Sequence, residues 1–129
     1  MSTRIIAVAN HKGGVGKTTT VANLGSILSK KGFRVLLIDL DAQANLTTSL
    51  ASSFDGATIY EALTGKVETL PVIEITDSLH LVPASLTLAM VDVELSTAIA
   101  RESILSEVLV KAEVSAKYDF VLLDCPPSL

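Results

Sequence analysis

Between the apolar run Ile5-Ile6-Ala7-Val8-Ala9 and a helix-patterned segment stands His11-Lys12-Gly13-Gly14-Val15-Gly16-Lys17-Thr18-Thr19. Three glycines in four positions allow a tight turn whose backbone N–H groups converge, because glycine reaches positive φ without a Cβ clash. A strand feeding the turn and a helix leaving it is the order a phosphate-binding loop requires, and Gly16-Lys17-Thr18 fits the end of G-x-x-x-x-G-K-[ST]. The start of that pattern does not fit: His11 holds the position of the first glycine, and a second lysine, Lys12, follows it. A helix beginning near Gly16 adds about half a positive charge at its N-terminus, which favours an anion in the same place. In this reading Lys17 bridges the β- and γ-phosphates of a nucleotide, and Thr18 offers its hydroxyl to Mg²⁺.

The rest of the chain alternates strand and helix patterns. Residues 4–9 read as a strand, and 16–31 as a helix with Val21, Leu24 and Leu28 on one face and Gly32 as its stop. Val35-Leu36-Leu37-Ile38 reads as a second strand, buried on both faces. The polar, small-residue stretch 42–57 reads as a loop with a helical turn, and 58–64 as a short helix ended by Gly65. Val72 to Thr76 is ambiguous between strand and irregular chain, whereas Leu79-His80-Leu81-Val82, between Asp77-Ser78 and Pro83, is a clearer strand. Two helices are expected between Ser85 and Lys117, the second carrying Ile104, Leu105, Val108, Leu109 and Ala112 at helical spacing. Phe120-Val121-Leu122-Leu123 is the last strand.

This alternation predicts an α/β fold: a three-layer, doubly wound parallel sheet with right-handed crossovers. Ligands bind such sheets at the carboxyl ends of the strands, where the glycine loop, Asp39, Asp41 and Asp124 all fall. Four apolar residues followed by Asp124 make a Walker B pattern, whose carboxylate holds Mg²⁺, commonly through a water.

Composition narrows the classes. Hydrophobic residues make up 49% of the 129, an excess that buried parallel strands account for. No apolar run approaches the roughly 18 residues a membrane span needs. Five apolar residues near the N-terminus are too few for a secretory signal core. The single cysteine, Cys125, excludes an internal disulfide framework, and the two observations together point to the cytoplasm. A net charge of −4 with scattered basic residues gives no basis for nucleic-acid binding by this segment alone.

Lys12-Gly13-Gly14-Val15-Gly16-Lys17-Thr18-Thr19 resembles the deviant Walker A motif of the ParA partition ATPases, relatives of Soj and MinD. Asp39-Leu40-Asp41-Ala42-Gln43-Ala44-Asn45 is similar to that family's switch I segment, and the stretch from Tyr118 through Asp124-Cys125-Pro126-Pro127-Ser128-Leu129 to its Walker B and switch II. Leu81-Val82-Pro83-Ala84-Ser85 and Gly65-Lys66 also sit where the family has similar stretches. The resemblance covers the whole chain and implies that residues 1–129 are the N-terminal portion of a single P-loop ATPase domain.

The resemblance further implies binding and hydrolysis of ATP with Mg²⁺ for plasmid or chromosome segregation, by a homodimer closed around two nucleotides. A ParB-like centromere-binding protein would be its partner and cytoplasmic nucleoid DNA its track, bound non-specifically through a part of the protein beyond Leu129. No membrane partner is implied, since the last residues provide no amphipathic helix of the MinD kind. Nucleotide contacts carry over to Lys12, Gly13, Gly14, Val15, Gly16, Lys17, Thr18 and Thr19, and metal contacts to Thr18, Asp39 and Asp124. Two catalytic roles carry over as well. Lys12 would reach the ATP of the other subunit and neutralise charge on the transferring phosphoryl group, and Asp41 would orient the attacking water. Residues 42–50 would respond to the γ-phosphate as a switch.

The chain departs from the family at Ala42 and Ala44, where proline and glycine are usual, and at His11, where glutamine is usual. Its larger departure is the end at Leu129, before the family's further strands, its adenine and ribose contacts and its DNA-binding surface. That predicts a truncated form, with the C-terminal half of the fold absent and a bare Ile5–Ala9 edge that invites pairing with another chain. Two classes of function stay open: a partition ATPase, and a phosphate-binding remnant without hydrolysis. Small-molecule ligases and synthetases with related loops also remain, whereas the single cysteine argues against iron–sulfur relatives.

Overall fold

The computed structural model describes residues 3–8, 15–51, 53–91 and 98–126. In chain order these carry β1 (Arg4–Val8), α1 (Val15–Lys30), β2 (Val35–Asp39), α2 (Asn45–Leu50), α3 (Ile59–Leu63), β3 (Ile73–Glu74) and β4 (Leu79–Val82). A 3₁₀ stretch (Leu86–Met90), α4 (Ala98–Lys111), α5 (Val114–Lys117) and β5 (Phe120–Asp124) complete them. The strands form one sheet in the order β1-β5-β2-β4-β3. The first four run parallel, with Asp39 at the end of β2 level with Asp124 at the end of β5. β3 pairs antiparallel with β4 at the far edge.

Side-chain alternation along the strands makes the layers. Leu36 and Ile38 of β2 join Val121 and Leu123 of β5 and Val82 of β4 under α3, α4 and α5, which contribute Ile59, Leu109 and Val114. Val35 and Leu37 point the other way and join Leu79, Leu81 and Leu122 under Val21 of α1 and Leu46 of α2. Every residue of β2 is fully buried, which is why that strand reads as an unbroken apolar run ending in a carboxylate. The three-layer α/β architecture is therefore the one the alternation predicts, and among the described residues the antiparallel edge strand β3 is the one departure from the parallel sheet expected.

Local chemistry sets the boundaries. α1 ends in a Schellman motif: Phe33 N–H donates to the Leu28 carbonyl and Gly32 N–H to that of Ser29, with Gly32 at φ 97°, a conformation that favours glycine. α3 opens on a capping box in which Thr58 accepts from Tyr60 N–H and Glu61 accepts from Thr58 N–H. The ambiguous 72–76 stretch resolves into a two-residue strand, held by its pairing with Leu81 and His80 rather than by its own pattern. Of the two helices expected between Ser85 and Lys117, the first begins as the 3₁₀ stretch, and residues 92–97 lie outside the described residues. The second is divided: Glu113, at φ 57°, breaks α4 from α5.

α1 lies close on the sheet because residue 25 has no side chain. A Cβ built on Gly25 meets Leu37 Cδ2 at 2.8 Å and Leu79 Cδ1 at 3.3 Å. Gly25→Ala presses only on the mobile ends of leucines and gains helix propensity, so its stability should stay within about 1 kcal/mol of the wild type. Gly25→Val adds branched bulk against the same atoms and is expected to cost about 2 kcal/mol in urea unfolding. A valine variant as stable as the wild type would show that the helix–sheet contact is slack.

β1 pairs with β5 on one side and, among the described residues, with no strand on the other. Arg4, Ile5 and Ala7 are exposed, Ile5 by 54%. An apolar edge with free backbone donors and acceptors recruits further strands. Light scattering on this 129-residue chain is expected to show association that Ile5→Lys reduces; a monodisperse wild-type monomer would count against it.

Candidate functional site

The first turn of α1 and the ends of β2 and β5 meet at one rim of the sheet. Lys17 sits in that first turn, and its side chain is only 3% exposed although it is a lysine. Its Nζ donates to Asp124 Oδ1 at 2.5 Å and to the Cys125 carbonyl, and lies 3.5 Å from Asp41 Oδ2. Thr18, the next residue, donates its hydroxyl to the other Asp124 oxygen at 3.1 Å. Asp124 is completely buried, so both its oxygens are satisfied by the helix that follows β1, 106 and 107 residues away in sequence. A buried carboxylate is tolerated only with such partners.

The register explains the convergence. Asp39 and Asp124 are level on neighbouring strands, and Leu40 N–H donates to the Asp124 carbonyl, so β2 and β5 leave the sheet together. Cys125 N–H donates to the Val8 carbonyl, which brings the end of β1 alongside. Asp39 is fully buried, and its Oδ1 accepts from Asp41 N–H at 3.1 Å. Its Oδ2 accepts from Thr47 N–H at 3.0 Å and the Thr47 hydroxyl at 2.7 Å. Burial pushes the Asp39 carboxyl above its ordinary range; the bonds from Thr47 and Asp41 pull against that shift, and the neighbouring Asp124 charge adds to it. Burial also raises the Cys125 thiol, against a smaller opposing effect of Lys17, so the thiol stays protonated at neutral pH.

The structure brings together Lys17, Thr18, Asp41 and Asp124, four of the residues singled out in the sequence. Asp39 stands beside them, its carboxylate turned to Thr47 and the Asp41 amide. Val15 opens α1, Gly16 and Thr19 are exposed near its start, and the Thr20 hydroxyl donates one turn back to the Gly16 carbonyl at 2.7 Å. Lys12, Gly13 and Gly14 lie outside the described residues. Sequence reasoning missed Thr47. It sits in a polar, small-residue stretch where nothing local marks one threonine from the next, and its partner Asp39 is eight residues back.

Among the described residues no group of three or more His, Cys, Asp and Glu is placed to hold a metal ion. The oxygens of Thr18 and Asp124, with Asp39 adjacent, instead make a sparse set of hard donors. That set fits Mg²⁺, which keeps several waters and takes one or two carboxylates plus substrate phosphates.

A parallel strand leading to a helix with Gly-Lys-Thr in its first turn, faced by a strand-end aspartate that bonds the threonine, is the arrangement of a P-loop NTPase. A profile of the AAA domain family matches residues 3–129, and the chain belongs to that family, as one of its ParA and Soj type with the deviant Walker A loop. It is 41% identical to the sporulation initiation inhibitor protein Soj of Bacillus subtilis, over 98% of this chain and 51% of the relative. Among solved structures it is similar to a cobyrinic acid a,c-diamide synthase of Mycobacterium smegmatis with bound ATP analogue and magnesium, with a TM-score of 0.86 and 42% identity over 98% of this chain and 52% of the other. It is also similar to a plasmid partition protein of Borrelia burgdorferi bound to AMPPNP, with a TM-score of 0.83 and 33% identity over 99% and 55%. The chain spans about half the length of the relatives it matches. Among the described residues no helix is long and apolar enough to cross a membrane.

Proposed function

We propose that residues 1–129 are the N-terminal portion of a single P-loop ATPase domain and supply the phosphate and magnesium site of a ParA-type partition ATPase. The observation that carries this reading is the joint hold of Lys17 and Thr18 on Asp124, which puts a cation, a hydroxyl and a carboxylate at one strand-end rim. Lys17 and the backbone of Gly13, Gly14, Val15, Gly16, Thr18 and Thr19 bind the phosphates. Thr18, Asp124 and Asp39 hold Mg²⁺, which when bound neutralises charge on the terminal phosphates. Asp41, beside Lys17, orients the attacking water, and Lys12 serves the nucleotide of a second copy. The protein would act in the cytoplasm on plasmid or chromosome segregation, dimerising around ATP, with a ParB-like protein and nucleoid DNA as partners. Support for this over a small-molecule synthetase comes from relatives named for chromosome partitioning in several bacteria.

The test is Mg²⁺-dependent phosphate release from ATP by this chain, with Lys17→Ala and a chelator as blanks. Release above both blanks is expected. Release equal to the blanks, with ATP still bound, would replace the ATPase by the phosphate-binding remnant.

A further inference from the structure

The Thr47 hydroxyl joins three separate parts of the fold. It donates to Asp39 Oδ2 at 2.7 Å and accepts from Ala84 N–H at 2.9 Å, so its one proton and one of its lone pairs are both used. Thr47 is 3% exposed, Asp39 0% and Ala84 2%. Ala84 lies in the connection from β4 to the 3₁₀ stretch, and the preceding residue, Pro83, accepts from Ile59 N–H at the start of α3. Asp39, held on one oxygen by Thr47, accepts the Asp41 amide on the other. Asp41 in turn lies 3.5 Å from Lys17.

The helix that carries Thr47 lacks an ordinary cap. Ala44, at the N-cap of α2, has φ 56° and no side chain able to bond the first amides. Asp39 on β2 takes that place by accepting Thr47 N–H at the third helical position. The polar contacts of the 41–47 segment with the sheet therefore run through one carboxylate at the end of β2, and one hydroxyl ties that carboxylate to the connection after β4.

We propose that Thr47 is a positioning residue: through Asp39 it sets the place of Asp41 in the site, and through Ala84 it links that placement to the β4–3₁₀ connection. The proposal deepens the hydrolytic reading and rests on it for the role of Asp41, but the placement itself stands on geometry alone. A competing holder exists in the loop, where Asp41 Oδ1 accepts from Gln43 N–H and the Asp41 carbonyl from Ala44 N–H. If that local turn suffices, Thr47 is only a packed side chain.

Amide hydrogen exchange read by NMR separates the two. Thr47→Val keeps the shape and removes both bonds, leaving a buried N–H at Ala84 without an acceptor. In that variant the amides of Asp41 and Ala84 are expected to exchange at least about tenfold faster, while those of Leu37 and Leu122 keep their protection. Thr47→Ser, which retains the hydroxyl, should exchange like the wild type. Thr47→Ala removes the same bonds and serves if the valine variant fails to fold. In steady-state hydrolysis Thr47→Val should lower kcat about tenfold with KM within about twofold, and Thr47→Ser should restore it. Unchanged exchange at Asp41 in the valine or alanine variant overturns the proposal, as does a serine variant that behaves like valine. If the wild type releases no phosphate above its blanks, the hydrolytic reading fails, and the exchange result still decides whether Thr47 places Asp41.

Discussion

Lys17→Ala is expected to weaken nucleotide binding about a hundredfold and, in the same protein, to lower the unfolding free energy by about 3 kcal/mol. The binding loss follows from the proposed role of Lys17 as a cation making charge-assisted bonds to phosphate. The stability loss follows from what remains. Asp124 is wholly buried and loses its 2.5 Å ion pair, keeping only the Thr18 hydroxyl as side-chain donor. A charge left unpaired in the interior costs far more than the pair contributes when intact. The same logic gives the control. Asp124→Asn in the Lys17→Ala background removes the stranded charge and should recover a large part of the lost stability without recovering nucleotide binding. Urea unfolding of the four members of this cycle, with fluorescent-nucleotide titration of each, reads both quantities. A Lys17→Ala protein that unfolds at the wild-type urea midpoint would mean that the Lys17–Asp124 contact is solvated and contributes nothing.

That contact also marks where the sequence stops being informative. The glycine loop, the apolar strands and the aspartates at their ends are readable because each is a local pattern: a fully buried parallel strand has to be apolar along its length and has to stop where polar chemistry begins, as β2 does at Asp39 and β5 at Asp124. The sheet order could not be read this way, because it depends on which strand lies beside which. β3 illustrates the limit, since its two residues become a strand only by facing Leu81 and His80. Positive φ at Ala44 and Glu113 is equally invisible, as neither residue type favours it. In the site, Lys17, Thr18, Asp39, Asp41 and Asp124 could be named from motifs, whereas the bonds that tie Asp39 to Thr47 and Thr47 to Ala84 could not, because they join residues on β2, on α2 and beyond β4. Motifs identify groups that meet a ligand. The groups that hold them in place are chosen by packing, and packing is a property of the folded chain.

Asp41→Ala should have the complementary effect to Lys17→Ala, with turnover falling about a hundredfold to a thousandfold while ATP binds as well as before or slightly better. Asp41 lies beside Lys17 with its side chain 13% exposed, close enough to share the lysine's charge but without the 2.5 Å contact that Asp124 makes. Removing it leaves the Lys17–Asp124 pair intact, so the fold keeps its buried ion pair. It also removes a negative charge that repels incoming phosphate, which is why affinity is not expected to drop. Two explanations of the lost turnover then have to be separated. Asp41 Oδ1 accepts from Gln43 N–H at 3.0 Å, so an alanine at 41 removes both the carboxylate proposed to orient water and a bond that shapes the turn after β2. Asn at the same position keeps an oxygen for Gln43 and loses the charge. If the carboxylate acts on the water, Asp41→Asn should be as slow as Asp41→Ala; if the turn is what matters, Asn should be close to the wild type. Single-turnover phosphate release, with affinities from nucleotide titration, distinguishes these outcomes, and an alanine variant that hydrolyses ATP at the wild-type rate would remove Asp41 from the chemistry altogether.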